Sequence, residues 1–329
     1  MIVGTPIVVT GATGFIGSRV ARILRARDDD VVAIVRDLAA GAAETLRQLG
    51  VRVVAGDLGS EAELRAVMTG AAGVIHIAGA YRVGIPASER PAMYEANVDA
   101  TQRVLDAAIA TSVPRIVYIS TVNIFGNTHG KIPDETYSRD LAEGFLTYYD
   151  ETKYLAHVAA EARIEAGAPI VIVQPGTVYG ASDHSGIGAQ LKAAYDGTAS
   201  FVAFASTGIS PTHVDDIAGG IVASIDRGRL GEAYILTATN TTLGEAMRVA
   251  ARLAGRKPPR LSIPNAVLRL GSRLSPNGGA MFGVGPNLRE IVSASDNVTY
   301  WGSNAKAVAE LGFVPRGLEV GLRDAFEGG

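Results

Sequence analysis

The segment PIVVTGATGFIG, residues 6–17, joins a short run of β-branched residues to a stretch with the apolar spacing of a helix. Its glycines follow a G-x-x-G-x-x-G spacing. The first permits a tight turn, the second lets a phosphate approach the backbone, and the third lets the helix pack closely. Free N–H groups and the dipole at a helix start stabilise a pyrophosphate. The segment therefore predicts a dinucleotide site that includes Gly11, Thr13, Gly14, Phe15, Ile16 and Gly17.

The residues that follow alternate between strand-like and helix-like patterns. Nearly continuous Val and Ile runs, typical of strands buried on both faces, occur at 6–10, 31–35, 51–55, 73–78, 115–120 and 169–174. Segments with helical spacing of apolar residues lie between them, at 16–26, 61–68, 93–110 and 149–165. This alternation predicts an α/β fold built on a doubly wound parallel sheet of the Rossmann type.

The pattern changes after Gln174. Residues 175–188 are rich in turn formers and 200–212 read as irregular, whereas 214–227 fits one more helix and 232–236 one more strand. Short helical segments separated by prolines dominate from Thr239 onward. We therefore expect a dinucleotide-binding domain of residues 1–174 plus 212–238. A smaller, mostly helical C-terminal substrate lobe, residues 175–211 plus 239–329, is expected to close over the carboxyl edge of the sheet.

Composition excludes several classes of protein. The 329 residues include no cysteine, so disulfides, thiol nucleophiles and cysteine-bound metals are excluded, and no other metal site is expected. A formal net charge of −3 gives no general attraction for nucleic acid or an anionic membrane. No run of about 18 apolar residues free of glycine and charge is present, and the N-terminus lacks the basic region of a signal peptide. The expectation is a soluble cytoplasmic protein without nucleic-acid or membrane partners.

The end of the second predicted strand bears on the choice of cofactor. An NAD site normally places an acidic residue there to accept from the ribose 2′-hydroxyl, whereas an arginine accommodates a 2′-phosphate. Val35 occupies the expected acidic position and Arg36 follows it, so NADP(H) is the preferred cofactor and NAD(H) a possible one. Two alternatives stay open: Asp37 can itself accept from the 2′-hydroxyl, and Arg36 can simply be a solvated residue.

Further candidate cofactor residues follow the third and fourth predicted strands. Asp57 and Leu58, then Ala78 and Gly79, stand where the adenine and its ribose would lie. Asp57 can accept from an adenine amino group, or it can instead cap the next helix. His76 is interpreted as a buried strand residue, because no second ligand approaches it at metal spacing.

Tyr149 and Lys153 stand four residues apart, which places a phenol and an ammonium on one face of a predicted helix. A free tyrosine titrates near pH 10, and a cation one turn away is expected to lower that pKa toward a value suited to proton transfer. Thr121, at the end of the fifth strand, can hold the oxygen of a carbonyl substrate. The alternative is a surface Tyr/Lys pair beside an unrelated hydroxyl.

Seven motifs resemble, in their order along the chain, the extended short-chain dehydrogenases/reductases of the NAD-dependent epimerase/dehydratase family. They are TGATGFIG (10–17), Asp57-Leu58, NVDAT (97–101), Ser120-Thr121, YDETK (149–153), PGTVYG (175–180) and HVDD (213–216). The tail, 306–326, resembles the usual end of that family. Within it, VAIVRD (32–37) resembles dihydroflavonol-4-reductase-like enzymes, and HIAGAYR (76–82) resembles hopanoid-associated sugar epimerases.

The resemblance implies roles for particular residues. It implies that Thr121, Tyr149 and Lys153 form a catalytic triad, with Lys153 also bonding the nicotinamide ribose. It further implies that Pro175 and Val178 line the nicotinamide. The hydroxyl of the triad belongs to threonine rather than the more usual serine, which keeps the chemistry. The resemblance also allows a homodimer formed through the helices 93–110 and 149–165.

The leading functional hypothesis is an NADP(H)-dependent oxidoreductase that reduces a small carbonyl compound. Nucleotide-sugar epimerases usually carry a phosphate-binding arginine just before the HVDD stretch, but residues 208–212, GISPT, contain no base. The alternatives are a sugar or nucleotide-sugar epimerase/dehydratase with tightly bound NAD(P), and a non-catalytic NADP(H)-sensing regulator. Candidate substrate residues flank the triad or the exit of the fourth strand: Tyr81, Arg82, Phe125, Tyr148 and the stretch 182–188.

Overall fold

Seven parallel strands form the central sheet of the computed structural model, which describes residues 5–259, 261–263, 265–274 and 287–327. The strands in chain order are β1 Ile7–Thr10, β2 Val31–Val35, β3 Arg52–Ala55, β4 Gly73–His76, β5 Ile116–Ile119, β6 Ile170–Pro175, β7 Thr177–Tyr179, β8 Phe201–Val202, β9 Gly208–Ile209, β10 Pro211–His213, β11 Ala233–Leu236, β12 Thr241–Thr242 and β13 Leu261–Ser262. The large sheet has the order β11-β6-β5-β4-β1-β2-β3. The order reverses direction between β1 and β4, and open parallel sheets bind ligands at that point.

Helices cover both faces of this sheet. They are α1 Gly17–Ala26, α2 Gly41–Gln48, α3 Glu61–Met68, α4 Arg90–Tyr94, α5 Ala100–Ala110, α6 Tyr148–Glu165, α7 Gly186–Asp196, α8 Val214–Arg227, α9 Leu243–Leu253, α10 Asn265–Leu274, α11 Leu288–Ser295 and α12 Leu318–Glu327. Because side chains alternate along a strand, Val9 packs in the layer of α1, α2 and α8, and Val8 packs in the layer of α3, α5 and α6. The doubly wound Rossmann-type sheet and the helical C-terminal region are confirmed.

Most element boundaries agree with the sequence patterns, but four regions differ. The predicted helix 93–110 begins at Arg90 and contains a π-helical turn over Glu95–Asp99. The prediction that 200–212 is irregular is wrong, because this stretch contains β8, β9 and β10. Each is two or three residues long and pairs with a distant segment: β13, β12 and β7, respectively. Helices α2 and α7 were not assigned from the sequence.

The long loop between β5 and α6 covers the edge of the sheet at β11. Glu135 accepts a hydrogen bond through Oε1 from the backbone N–H of Ile235 at 2.8 Å, which satisfies a donor of the edge strand. Earlier in the loop, the N–H of Thr128 donates to the carbonyl of Thr299 at 2.9 Å. The loop therefore joins the sheet to the C-terminal region. Within the described ranges, no helix is long and apolar enough to cross a membrane.

Candidate active site

The glycine turn between β1 and α1 leaves an open helix start at the point where the strand order reverses. Gly11 has a φ of +72°, and a Cβ on it would come within 2.7 Å of the backbone nitrogen of Ala78. A Cβ on Gly17 would lie 2.1 Å from the carbonyl oxygen of Gly11, so the helix packs directly against the turn. Ile16 at the N-cap makes no side-chain hydrogen bond, and the first turn of α1 has no acidic residue. These features fit a dinucleotide pyrophosphate.

The end of β2 presents one engaged carboxylate and one free guanidinium. Asp37 accepts a hydrogen bond through Oδ1 from the N–H of Ala39 at 2.8 Å, which forms a local turn. Arg36 is exposed, and within the part of the chain that the structure describes it has no hydrogen bond or ion pair. The geometry leaves Arg36 available to an anion beside the cofactor's ribose.

Asp57 forms a turn rather than a helix cap. Its Oδ1 accepts from the N–H of Gly59 at 3.0 Å, and the N-cap of α3 is Ser60, whose side chain accepts from Glu63. The capping alternative for Asp57 is therefore wrong. The next residue, Leu58, is tied to α5 because its carbonyl accepts from Arg103 at 2.8 Å.

His76 is fully buried at the end of β4, which confirms its interpretation as a strand residue. Its ring nitrogens lie 2.7 Å from Thr10 Oγ1 and 3.0 Å from Thr101 Oγ1, so both are satisfied. Burial lowers the pKa of His76 to about 3, and the ring is neutral at ordinary pH. Among the described residues, no group of three or more His, Cys, Asp or Glu side chains could hold a metal ion.

Helix α6 carries Tyr149 and Lys153 on its buried face, and Thr121 follows β5. Thr147 caps α6 by accepting from the N–H of Asp150 at 2.9 Å. This fixes a buried helix face that includes Tyr149, Asp150 and Lys153. Thr121 caps a 3-10 turn over Val122–Phe125, and its hydroxyl lies close enough to Tyr149 to lower the pKa of that phenol slightly, against the larger effect of burial. All three members of the predicted triad are buried.

The predicted lowering of the pKa of Tyr149 by Lys153 is wrong in this structure. Lys153 Nζ donates to the carbonyl of Ile119 at 2.8 Å and to the hydroxyl of Tyr118 at 3.2 Å, so its ammonium is directed to β5. Burial raises the pKa of Tyr149 well above its usual value, and Tyr81 and Asp150 add to that increase. Burial also lowers the pKa of Lys153 to about 7. Tyr149 therefore keeps its proton at neutral pH.

The candidate substrate residues have different surroundings. The ring of Tyr81 is about half exposed and meets that of Tyr149 edge-on, with 4.8 Å between centroids, whereas Tyr148 packs against the apolar cluster that contains Tyr149. Arg82 forms an exposed ion pair with Glu89. Phe125 is only 3% exposed and packs in an apolar cluster with Ile124 and Tyr300, and its place in a substrate pocket stays a prediction. In the stretch 182–188, Asp183 and Ser185 form the start of α7.

The remaining predicted cofactor residues lie at the carboxyl edge of the sheet. Pro175 ends β6, and Val178 in β7 pairs with Thr212 of β10. Ala78 and Gly79 follow β4, where Ala78 faces the tight turn at Gly11.

Sequence reasoning missed two polar residues beside the predicted triad. Asp150 is a buried carboxyl next to Tyr149, and Asn123 donates to it through Nδ2 at 3.0 Å. Asp150 stands three residues before Lys153, a spacing that places both on one helix face, so the sequence contained a signal for its position. No sequence pattern indicated Asn123, because its contact with Asp150 depends on the packing of α6 beside the 3-10 turn.

This fold and this site define an NAD(P)-dependent oxidoreductase of the extended short-chain dehydrogenase/reductase type. The chain belongs to the NAD dependent epimerase/dehydratase family, whose family model matches residues 7–236.

Two full-length relatives have names that indicate a reductase. The "Putative dihydroflavonol 4-reductase" of Synechocystis sp. is 29% identical over 96% of this chain and 92% of its own length. The ceramide reductase of Caulobacter vibrioides is 28% identical over 97% of this chain and 92% of its own length. The crystal structure of gox2253 matches with a TM-score of 0.84 and 30% identity, over 98% of this chain and 97% of that one.

Proposed function

We propose that this protein reduces a small carbonyl compound with NADPH, using Thr121, Tyr149 and Lys153 as catalytic residues. The observation that carries the proposal is a buried Tyr149 phenol that keeps its proton at neutral pH, with the hydroxyl of Thr121 close enough to influence its pKa. Reduction of a carbonyl requires a proton for the oxygen while hydride reaches the carbon, and a tyrosine that keeps its proton can act as that acid.

The residues around Tyr149 divide the work. Bound NADPH supplies the hydride. Tyr149 gives its proton to the carbonyl oxygen, and the hydroxyl of Thr121 holds that oxygen. Lys153 belongs to α6, and its Nζ lies 2.8 Å from the carbonyl of Ile119 at the end of β5, where it would also bond the nicotinamide ribose. Residues 1–174 plus 212–238 hold the cofactor, and 175–211 plus 239–329 contribute to the substrate side.

The proposed preference for NADPH rests on the end of β2. Asp37 is engaged by the N–H of Ala39, whereas Arg36 is exposed and without a protein partner in the described ranges. A guanidinium forms forked, charge-assisted hydrogen bonds with a phosphate. The 2′-phosphate of NADPH supplies such a phosphate, and NADH does not.

The substrate is proposed to lack a diphosphate. A buried diphosphate needs compensating cations. Residues 208–212 are buried in and between β9 and β10 without a base, and the guanidinium of Arg82 is paired with Glu89. The aromatic rings of Tyr81 and Tyr148 instead offer apolar contact beside Tyr149. Relatives named as reductases of a ceramide and a dihydroflavonol support the same reading.

A sugar or nucleotide-sugar epimerase is the second candidate. The family's name favours it, and so does the shared fold of a UDP-glucuronic acid 4-epimerase from Bacillus cereus, which has a TM-score of 0.78 at 18% identity and covers 98% of both chains. An epimerase oxidises and re-reduces its substrate, so it copurifies with a tightly held dinucleotide and consumes none.

The experiment is a panel of ketones and aldehydes, each mixed with the purified protein and either NADPH or NADH, with cofactor absorbance followed over time. Stoichiometric loss of NADPH with a carbonyl compound supports the proposal. A protein that carries bound NAD(P) and interconverts sugars without consuming added cofactor would establish the epimerase instead.

A further inference from the structure

A chain of hydrogen bonds runs from Thr121 through Asn123 to Asp150. The hydroxyl of Thr121 donates to Asn123 Oδ1 at 3.1 Å and accepts from the backbone N–H of Asn123 at 3.2 Å. The side-chain amide then donates through Nδ2 to Asp150 Oδ1 at 3.0 Å. A threonine hydroxyl has one proton, and in this arrangement Asn123 takes it. The carbonyl oxygen of a substrate can only accept a hydrogen bond. In this arrangement Thr121 therefore has no proton to donate to the substrate.

The protonation state of the Asp150 carboxyl can change this hydrogen-bond arrangement. The residue is 1% exposed, and within the described ranges its Oδ2 is a buried oxygen without a hydrogen-bond partner. Burial raises the pKa of its carboxyl to about 6. The charged group that faces it is Arg139 from the preceding loop, which favours the carboxylate, as do Asn123, which donates to it, and Thr147. Its other titratable neighbours are the phenols of Tyr81, Tyr149 and Tyr300.

We propose that Asp150 and Asn123 are positioning residues that determine whether the hydroxyl of Thr121 donates to the substrate. When Asp150 is ionised, the amide of Asn123 donates to it and accepts the proton of Thr121. When Asp150 is protonated, the carboxyl donates to Oδ1 of a turned amide, whose Nδ2 then donates to Thr121. The proton of Thr121 is thereby released toward the carbonyl oxygen. One proton on Asp150 accounts for the whole change, because every other group keeps its own.

This inference rests on the proposed function, and it predicts a pH profile for the reduction. In the wild type, kcat/KM is expected to fall as pH rises through the pKa of Asp150, by up to about tenfold per pH unit. Asp150→Asn removes the titrating group, so this fall should disappear. Asn123→Ala removes the amide that connects Asp150 to Thr121. The fall in kcat/KM should therefore disappear in this variant too, even though Asp150 still titrates. Glu151→Gln, the next carboxylate along α6, is the matched control and should keep the wild-type profile.

A fall in kcat/KM that survives both Asp150→Asn and Asn123→Ala would overturn the inference. A second measurement needs no activity: the side-chain amide of Asn123 is followed by ¹⁵N NMR during a pH titration. Its resonance should move with one midpoint in the wild type and in Glu151→Gln, and stay fixed in Asp150→Asn. If no carbonyl compound is reduced, the proposed function fails, but this titration still tests whether the protonation of Asp150 changes the hydrogen bonding of Asn123. If the amide resonance does not move with pH in the wild type, Asn123 does not respond to Asp150, and the inference is wrong even if the protein is an active reductase.

Discussion

Tyr149 is the residue that we propose as the proton donor. Tyr149→Phe keeps the ring that packs against Tyr81, so cofactor binding and the fold should be nearly unchanged. It removes the proton donor, and general acids typically contribute about 10²- to 10⁴-fold to the rate. We expect kcat for carbonyl reduction to fall by that factor while the Kd for NADPH, measured by fluorescence titration, stays within about twofold. Activity within a few-fold of the wild type would exclude Tyr149 as the acid.

Arg36 should determine the choice of cofactor. A charge-assisted hydrogen bond contributes about 1.5–3 kcal/mol, which corresponds to at least about tenfold in affinity. The protein should therefore prefer NADPH to NADH by that factor in kcat/KM, and Arg36→Ala should remove most of the preference by weakening NADPH alone. Arg47→Ala, which removes a guanidinium bound to Glu44 and Leu38, is the matched control. Tighter NADH than NADPH in the wild type would assign the ribose contact to Asp37 instead.

Asp150 should make stability depend on pH. Burial raises the pKa of its carboxyl from 3.8 to about 6, so in that range the folded protein binds the proton more tightly than the unfolded chain. The free energy of unfolding should therefore fall as pH rises from about 4 to 6, with Asp150 accounting for up to about 3 kcal/mol. Urea unfolding should show that Asp150→Asn is more stable than the wild type at about pH 8 and loses this advantage at about pH 4. An equal difference at both pH values would contradict this prediction.

Tyr149 and Lys153 also show which features of the candidate site the sequence can predict. The spacing of Tyr149 and Lys153 correctly placed both residues on one buried helix face, because spacing along a helix determines which residues share a face. It did not predict that Lys153 Nζ bonds to Tyr118 and Ile119, since those partners come from β5. Burial raises the pKa of Tyr149, and burial depends on how the whole site packs, which spacing along one helix cannot predict.

At the scale of the elements, the turn between β1 and α1 requires glycine, because a Cβ there would collide with the backbone. A Cβ on Gly17 would lie 2.1 Å from the backbone oxygen of Gly11, so Gly17→Ala must move α1 away from the turn. Such overpacking costs about 1–3 kcal/mol, and the displaced helix start should weaken NADPH binding as well. Gly41→Ala, at the start of α2 with no atom within 4 Å of the added Cβ, is the control and should change stability by less than about 0.5 kcal/mol. Thermal unfolding and NADPH titration of both variants provide the comparison.

The short strands that the sequence did not predict are held by distant partners. β9 and β10 are two and three residues long, and their ladders pair with Thr241–Thr242 and Thr177–Tyr179. Periodicity needs a longer window than this to distinguish a strand from a loop. By contrast, the continuous apolar runs of β1 and β2 indicated their burial directly, because both faces of a parallel sheet are covered.

At the scale of the whole molecule, the site is assembled from segments far apart in the chain. The exit of β4, the turn after β5 and the start of α6 meet around Tyr149, and α11 closes against two of them. The backbone N–H of Asn287 donates to the carbonyl of Gly84 at 2.9 Å, and Glu290 Oε1 accepts from the N–H of Tyr148 at 2.8 Å. The C-terminal region therefore fixes both the loop that carries Tyr81 and the first turn of α6.

Glu290 tests this connection between the two regions. Its side chain is 9% exposed, and it binds the first N–H of α6 from 142 residues away. Glu290→Ala leaves that donor without its partner, which should lower the free energy of unfolding by about 1–2 kcal/mol. It should also loosen the substrate side more than the glycine turn, so KM for the carbonyl substrate should rise while the Kd for NADPH stays constant. Glu319→Ala, an exposed carboxylate at the start of α12, should leave all three quantities unchanged. Equal weakening of substrate and NADPH by Glu290→Ala would mean that α11 supports the whole fold rather than this side of the site.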